Sequence, residues 1–255
     1  MQLRHNTPLL LLGTALSLFS VVTSAAPIPA GISVTSQAYL DTVNSSASVN
    51  ASQTGQIGIT ANGSVVNQTF NDISIGTNPL NGNASMTGDG SFLNFDLAGR
   101  SNDAGNAQND GLFGDLFLNF SNNSGAGYKA KFAIDVAYNS VFASGPDAFV
   151  KFDFSLQDSA LNEVFFSSIL RDTVNGDSDA ASADNILEIL LNPGDTASFH
   201  GIEKAYGGAF IPRSNYAGSV SVALRVVKFS PLPEPSSLLL AGLGLGLLFG
   251  KRRFS

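Results

Sequence analysis

Five stretches of this chain alternate apolar and polar residues with a period of two, and that alternation decides what it can fold into. In AFVKFDFSLQD, Val150, Phe152, Phe154 and Leu156 fall on one side, and Lys151, Asp153, Ser155 and Gln157 on the other. In KAKFAIDVAY, Phe132, Ile134, Val136 and Tyr138 oppose Lys131, Ala133, Asp135 and Ala137. SFLNFDLAG sets Leu93, Phe95 and Leu97 against Phe92, Asn94, Asp96 and Ala98, and GDLFLNFSN sets Leu116, Leu118 and Phe120 against Asp115, Phe117, Asn119 and Ser121. GSVSVALRVVK does the same with Val220, Val222, Leu224 and Val226. A helix, with 3.6 residues per turn, cannot sort residues in this way, whereas a strand with one buried face does. Such strands belong to antiparallel sheets covered on one side, and two of them closing their apolar faces make a sandwich. The expectation is an all-β fold, an antiparallel β-sandwich of jelly-roll or Ig-like type.

Turn chemistry separates the strands. Asn62-Gly63, Asn81-Gly82, Gly88-Asp89-Gly90, Ser144-Gly145-Pro146-Asp147 and Asn192-Pro193-Gly194-Asp195 all carry residues that tolerate or fix turn geometry. DNILEILL is the best helical candidate, but it lies between an acidic loop and the NPGD turn and reads as a strand. The polar stretch 35–91 alternates in QIGIT and GSVVNQTF, which places it in the same domain.

Composition narrows the chemistry. Nine basic residues face twenty acidic ones between Pro27 and Pro235, and no Lys or Arg occurs between Arg4 and Arg100. A nucleic-acid partner is not expected, because a phosphate backbone needs a basic patch. The absence of cysteine excludes disulfides, thiolate metal sites and cysteine nucleophiles. Nineteen Phe and no Trp favour core filling over a Trp-lined sugar platform.

Few residues have the pattern of a reactive site. Beyond the leader the only histidine is His200; a Ser-His-Asp arrangement would have to use it with Asp195 or Glu203, and no GxSxG elbow accompanies it. The loop RDTVNGDSDAASAD brings Asp172, Asn175, Asp177, Asp179 and Asp184 close in sequence, and hard oxygens of this kind suit calcium. The order is not that of an EF-hand, and the plain reading is a solvated loop of turns. Calcium is the one cofactor candidate. A weaker cluster is Asp103, Asn106, Asn109 and Asp110.

The two ends carry addresses. Residues 1–26 have a basic Arg4, an apolar run and small residues at Ala25 and Ala26, the form of a cleaved signal peptide. Residues 232–255 hold Pro233-Glu234-Pro235, an uncharged Leu- and Gly-containing run and the basic stop Lys251-Arg252-Arg253. As a helix, residues 236–250 would span about 22 Å, short against a hydrocarbon core of about 30 Å. Hydrophobic helices are thus expected to flank a β domain at 27–231.

This tail resembles the PEP-CTERM sorting signal found in Gram-negative bacteria that make extracellular polysaccharide. The resemblance covers the tail alone. It implies recognition by an exosortase-type membrane peptidase, passage through the inner membrane with a transient anchor, cleavage near Pro-Glu-Pro and release to the cell surface or matrix, while the leader at 1–26 would be met by signal peptidase. It assigns no function to the body. The leading expectation is a non-enzymatic structural or adhesive protein of the biofilm, in contact with exopolysaccharide. The alternatives are a carbohydrate-binding module with a structural calcium, whose exposed aromatics would come from Tyr128, Tyr138, Tyr206 and Tyr216, and a secreted hydrolase with two carboxylates across a cleft.

Overall fold

The computed structural model describes residues 28–61, 64–71, 80–83 and 90–233. Within them the chain is all β, in two antiparallel sheets. The strands are β1 (Ile32–Ala47), β2 (Ala51–Ala61), β3 (Ser64–Asn71), β4 (Leu80–Asn83), β5 (Gly90–Arg100), β6 (Ala107–Asn122) and β7 (Tyr128–Ser144). They continue with β8 (Ala148–Asp158), β9 (Glu163–Asp172), β10 (Ser178–Ala181), β11 (Ile186–Leu191), β12 (Thr196–Ala209) and β13 (Asn215–Pro231). One sheet runs β10-β9-β8-β12-β6-β1-β4 and the other β11-β7-β13-β5-β2-β3.

The alternating stretches became β5, β6, β7, β8 and β13, with their apolar sides inward. Phe152, Phe154, Leu116, Leu118, Phe95, Phe132, Val222 and Leu224 are all buried. The two inner faces meet in one core, and the arrangement fits a sandwich. At one end four rings interlock across the sheets. Phe132 of the six-stranded sheet lies 4.6 Å from Phe199 and 5.8 Å from Phe120 of the other, and Phe229 reaches Phe120 at 6.4 Å. Each such ring removed from water contributes about 1.5–3 kcal/mol.

At the other end Tyr216 closes the sandwich. It lies between Gly99 and Gly207, where a Cβ would come within 2.5 and 2.2 Å of its ring. Its hydroxyl donates to Asn109 Oδ1 on the opposite sheet, and Asn109 Nδ2 donates to Gln53 Oε1 at 3.1 Å. Glycine is required at both positions by this close approach rather than by a turn.

Two expected turns hold: Gly145 (φ +97°) and Gly194 (φ +87°) take the left-handed conformation that glycine permits. Asp195 Oδ2 also accepts from the Asn192 backbone N–H at 2.8 Å. DNILEILL is a strand, β11, at the edge of the six-stranded sheet. Asn81-Gly82 is not a turn. Both residues lie in β4, opposite Gln37 and Ser36 of β1, because backbone pairing with the edge of β1 overrides the local preference. The signal segment with Ala25 and Ala26, the Asn62-Gly63 turn, and the tail from Glu234 onward, including Pro235, Lys251, Arg252 and Arg253, lie outside the described residues. Both expected flanking helices fall there. Among the described residues no helix is long and apolar enough to cross a membrane.

Candidate functional site

The outer face of the seven-stranded sheet carries the polar chemistry. Strand register sets Gln37, Phe117, His200 and Gln157 in one row across β1, β6, β12 and β8. His200 points outward from β12, and its Nε2 lies 2.7 Å from Asp115 Oδ1. Its ring stacks on Phe117 at 4.3 Å with planes 9° apart, while Tyr39 meets Phe117 edge-on at 5.5 Å. Phe113 and Tyr206 form a second edge-on pair at 5.6 Å. Phe117 and His200 each cover one face of the other's ring, and Tyr39 meets Phe117 edge-on.

The sequence offered Asp195 or Glu203 as the partner of His200. The fold supplies Asp115, 85 residues away on β6. Asp195 holds the NPGD turn, and Glu203, an odd number of residues along the strand, faces the opposite way. Among the described residues no serine is hydrogen-bonded to the His200–Asp115 pair, and His200 is a hydrogen-bonded, ring-stacked residue of the outer face.

The acidic loop folds around a cation of its own. Asp172 Oδ1 accepts from the backbone N–H groups of Val174 (2.8 Å) and Asn175 (2.9 Å), and its Oδ2 accepts from Asn175 Nδ2 at 2.9 Å. Burial works to raise the Asp172 carboxyl, and these donors outweigh it, leaving it below its ordinary value. Asp177 Oδ1 accepts from the Asp172 N–H at 3.1 Å. Arg171 binds Asp179 two-pronged, at 2.5 and 3.1 Å, and its Nε lies 3.7 Å from Asp177. The Arg171 hydrogen bond holds the Asp179 carboxyl below its usual range. Asp184 is exposed beyond this group. Backbone donors, the Asn175 amide and the Arg171 guanidinium thus engage the carboxylates of Asp172, Asp177 and Asp179. Among the described residues no group of three or more His, Asp or Glu could hold a metal ion.

The weaker cluster is not brought together. Asn109 is buried on Tyr216, whereas Asp110 is exposed and accepts from Gln108. The four tyrosines also scatter. Tyr216 is buried, Tyr206 lies on the outer face of the seven-stranded sheet, and Tyr128 begins β7. Tyr138 donates to Ser167 Oγ at 2.9 Å between the sheets. It borders a shallow cavity of about 240 Å³ with Ser167, Ser168, Ile169, Asp179, Ala180 and Ala181. The one carboxylate on that lining, Asp179, is tied to Arg171.

The sequence marks Glu203 only as a possible partner of His200, and its burial is not expected there. Glu203 is 0% exposed, and neither carboxyl oxygen has a hydrogen-bond partner among the described residues. It stands between Gly114 of β6 and Phe154 of β8 in register. Burial, reinforced by the nearby Asp153 charge, pushes its carboxyl well above the ordinary value and favours the protonated form. A signal existed: Phe199, Gly201, Glu203 and Ala205 share the inward phase of β12, so a Glu there breaks the pattern.

No family model matches the chain, and no curated protein matches it. Among solved structures, one of the infectious bursal disease virus Gx strain aligns over 85% of this chain and 74% of that chain. The identity is 9% and the TM-score 0.10, values that support no argument about fold or function.

Proposed function

We propose that the chain is an exported surface or matrix protein, sorted through its PEP-CTERM-like tail and serving a structural or adhesive role in a polysaccharide-rich biofilm. The observation that carries this reading is the junction between body and tail. β13 ends at Pro231, and Pro233-Glu234-Pro235 follows at once, so a cut near the motif would leave every strand of the sandwich in place. Proline suits that position, since it cannot donate to a ladder and so ends one. In this reading the flanking segments are transient membrane helices, and the protein meets signal peptidase and an exosortase-type peptidase during export. The chain crosses between sheets at most of its connections, which is closer to a jelly roll than to an Ig-like sandwich.

The test replaces Pro233, Glu234 and Pro235 together by alanine in the native host. The altered protein is expected to accumulate in the membrane fraction while the parent reaches the surface. Equal surface delivery of both would overturn the sorting role. A second reading, carbohydrate binding, draws on Tyr39, Phe117, His200 and Tyr206 sharing one outer face with Gln37 and Asp115. The contacts among these rings make it the lesser reading, because ring surface that a sugar would stack on is already taken by neighbouring rings.

A further inference from the structure

Basic residues are scarce in this acidic chain, and three of them meet at one corner of the fold. Lys129 and Lys131 of β7 and Lys228 of β13 share the outer face of the six-stranded sheet. Register sets Glu188, Lys131 and Lys228 in one row across β11, β7 and β13, and Leu190, Lys129 and Ser230 in the next. Pro231 closes the ladder opposite Tyr128, and the Leu232 N–H donates to Gly127 O at 2.8 Å. The lysines therefore stand where the chain leaves the sandwich for its tail.

Glu188 is the one acid in these two rows. It lies 3.0 Å from Lys129 and also pairs with Lys131, so one carboxylate answers two ammonium groups. Lys228 is exposed and has no ion-pair partner among the described residues. Arg225, one row further in, is matched by Asp135 at 2.6 Å. Three lysines and one glutamate leave the corner two positive charges, in a chain of net charge −7. Lys131 and Lys228 stand directly opposite each other, a pairing that weakens a sheet unless an anion comes to it. Leu190, 61% exposed, and Ile186, 48% exposed, flank Glu188 on the same face.

The other sheet has the contrary charge at this end. Its β8–β9 hairpin, beside the start of β12, carries Asp158 and Glu163. An anionic surface would attract the corner and repel the hairpin. The tether is short as well. Six residues lead from Ser230 to Ser236, where the uncharged run begins, and they span at most about 20 Å.

We propose that this corner docks the body on anionic phospholipid headgroups while the tail holds the chain in the membrane. Lys129, Lys131 and Lys228 meet the lipid phosphates, and Leu190 reaches the apolar boundary beneath them. At about fivefold per net charge, two charges favour the docked orientation by about 30-fold at low salt. So few charges do not hold a protein on a membrane without an anchor, and a cut near Pro-Glu-Pro therefore frees the body. The inference rests on the reading of the tail as a transient anchor and names the surface that the body uses in that state.

The experiment uses the full chain, bound through its tail to vesicles of phosphatidylcholine alone or of phosphatidylcholine with phosphatidylglycerol. The chain has no cysteine, so Ser230→Cys and, in a second protein, Val49→Cys each take a single dye. Val49 is fully exposed beyond the far end of β1 and serves as the control. Flotation reports the tail, and a quencher on the lipid headgroups reports the corner. The chain is expected to float with both vesicles. Phosphatidylglycerol should strengthen quenching of the Ser230 dye several-fold and leave the Val49 dye unchanged. Salt at 1 M, which screens charges beyond about 3 Å, should erase the difference. K129R/K131R/K228R should keep it, and K129Q/K131Q/K228Q should lose it. A chain that floats with neither vesicle overturns the anchor and the docking together. A chain that floats with both, its Ser230 dye quenched equally in both, overturns the docking alone. So does retention on a polyuronate gel that needs the three lysines, with no lipid-dependent quenching; that result would assign the corner to an acidic polysaccharide.

Discussion

A carboxyl with no partner in a closed core should make this sandwich lose stability as the pH rises, and substitution of Glu203 isolates that effect. In the fold burial favours the protonated form, whereas in the unfolded chain Glu203 ionises near its ordinary value of 4.5. Below that value both states hold the proton, and Glu203 has no pH-dependent effect. Above it the unfolded chain releases a proton that the fold retains. Stability then falls by about 1.4 kcal/mol per pH unit until the pH passes the raised folded value, where the loss levels off. Tyr138 from β7 and Asp153 from β8 are the titratable neighbours of the carboxyl, and both remain in a Glu203→Gln protein. Urea unfolding followed upward from pH 5 should therefore show the two proteins diverging, by at most about 1.4 kcal/mol per unit, the parent being the one that weakens. Glu203→Leu goes further, since it also removes two unsatisfied oxygens, and should gain about 1–3 kcal/mol at neutral pH. Parallel pH profiles for parent and Glu203→Gln would refute the reasoning, because they would mean that the carboxyl is solvated or ionised in the fold.

Three further outcomes follow from the packing. Gly207→Ala should destabilise by about 1–3 kcal/mol in urea titrations, because the Tyr216 ring in its way is buried and tethered through Asn109. Phe132→Ala should cost about 3–5 kcal/mol, as it empties the centre of the interlocked ring cluster. Calcium should leave the thermal midpoint unchanged, because Arg171 and backbone donors already occupy the loop carboxylates; a midpoint that climbs with calcium concentration would show that the loop binds it.

The strands that could be read from the sequence are those with a single buried face and large side chains on it. Val150, Phe152, Phe154 and Leu156 announce β8 because nothing but the core accepts four such residues in a row of alternate positions. β12 was harder to read, since its inward phase holds Gly201, Glu203 and Gly207, where close approach and a buried acid replace apolar bulk. β1 is similar, with Ser36 buried between Val34 and Ala38. Sheet order was not legible at all. β6 lies between β1 and β12, and such pairings at long separation leave no local pattern. The same holds for the polar partnerships. Asp172, Asp177 and Asp179 were visible as an acidic run, but their convergence on Arg171 depends on β9 and β10 pairing side by side. His200 was visible as the lone histidine, and Asp115 could be assigned to it only once β6 and β12 were neighbours.

Intact-mass measurement of the protein recovered from the surface of its native host tests the central claim most directly. Sorting through the tail predicts a chain that begins near Pro27 and ends near Pro235, with the sandwich complete through β13. A mass that extends to Ser255 would contradict it and make residues 236–250 a retained part of the working protein.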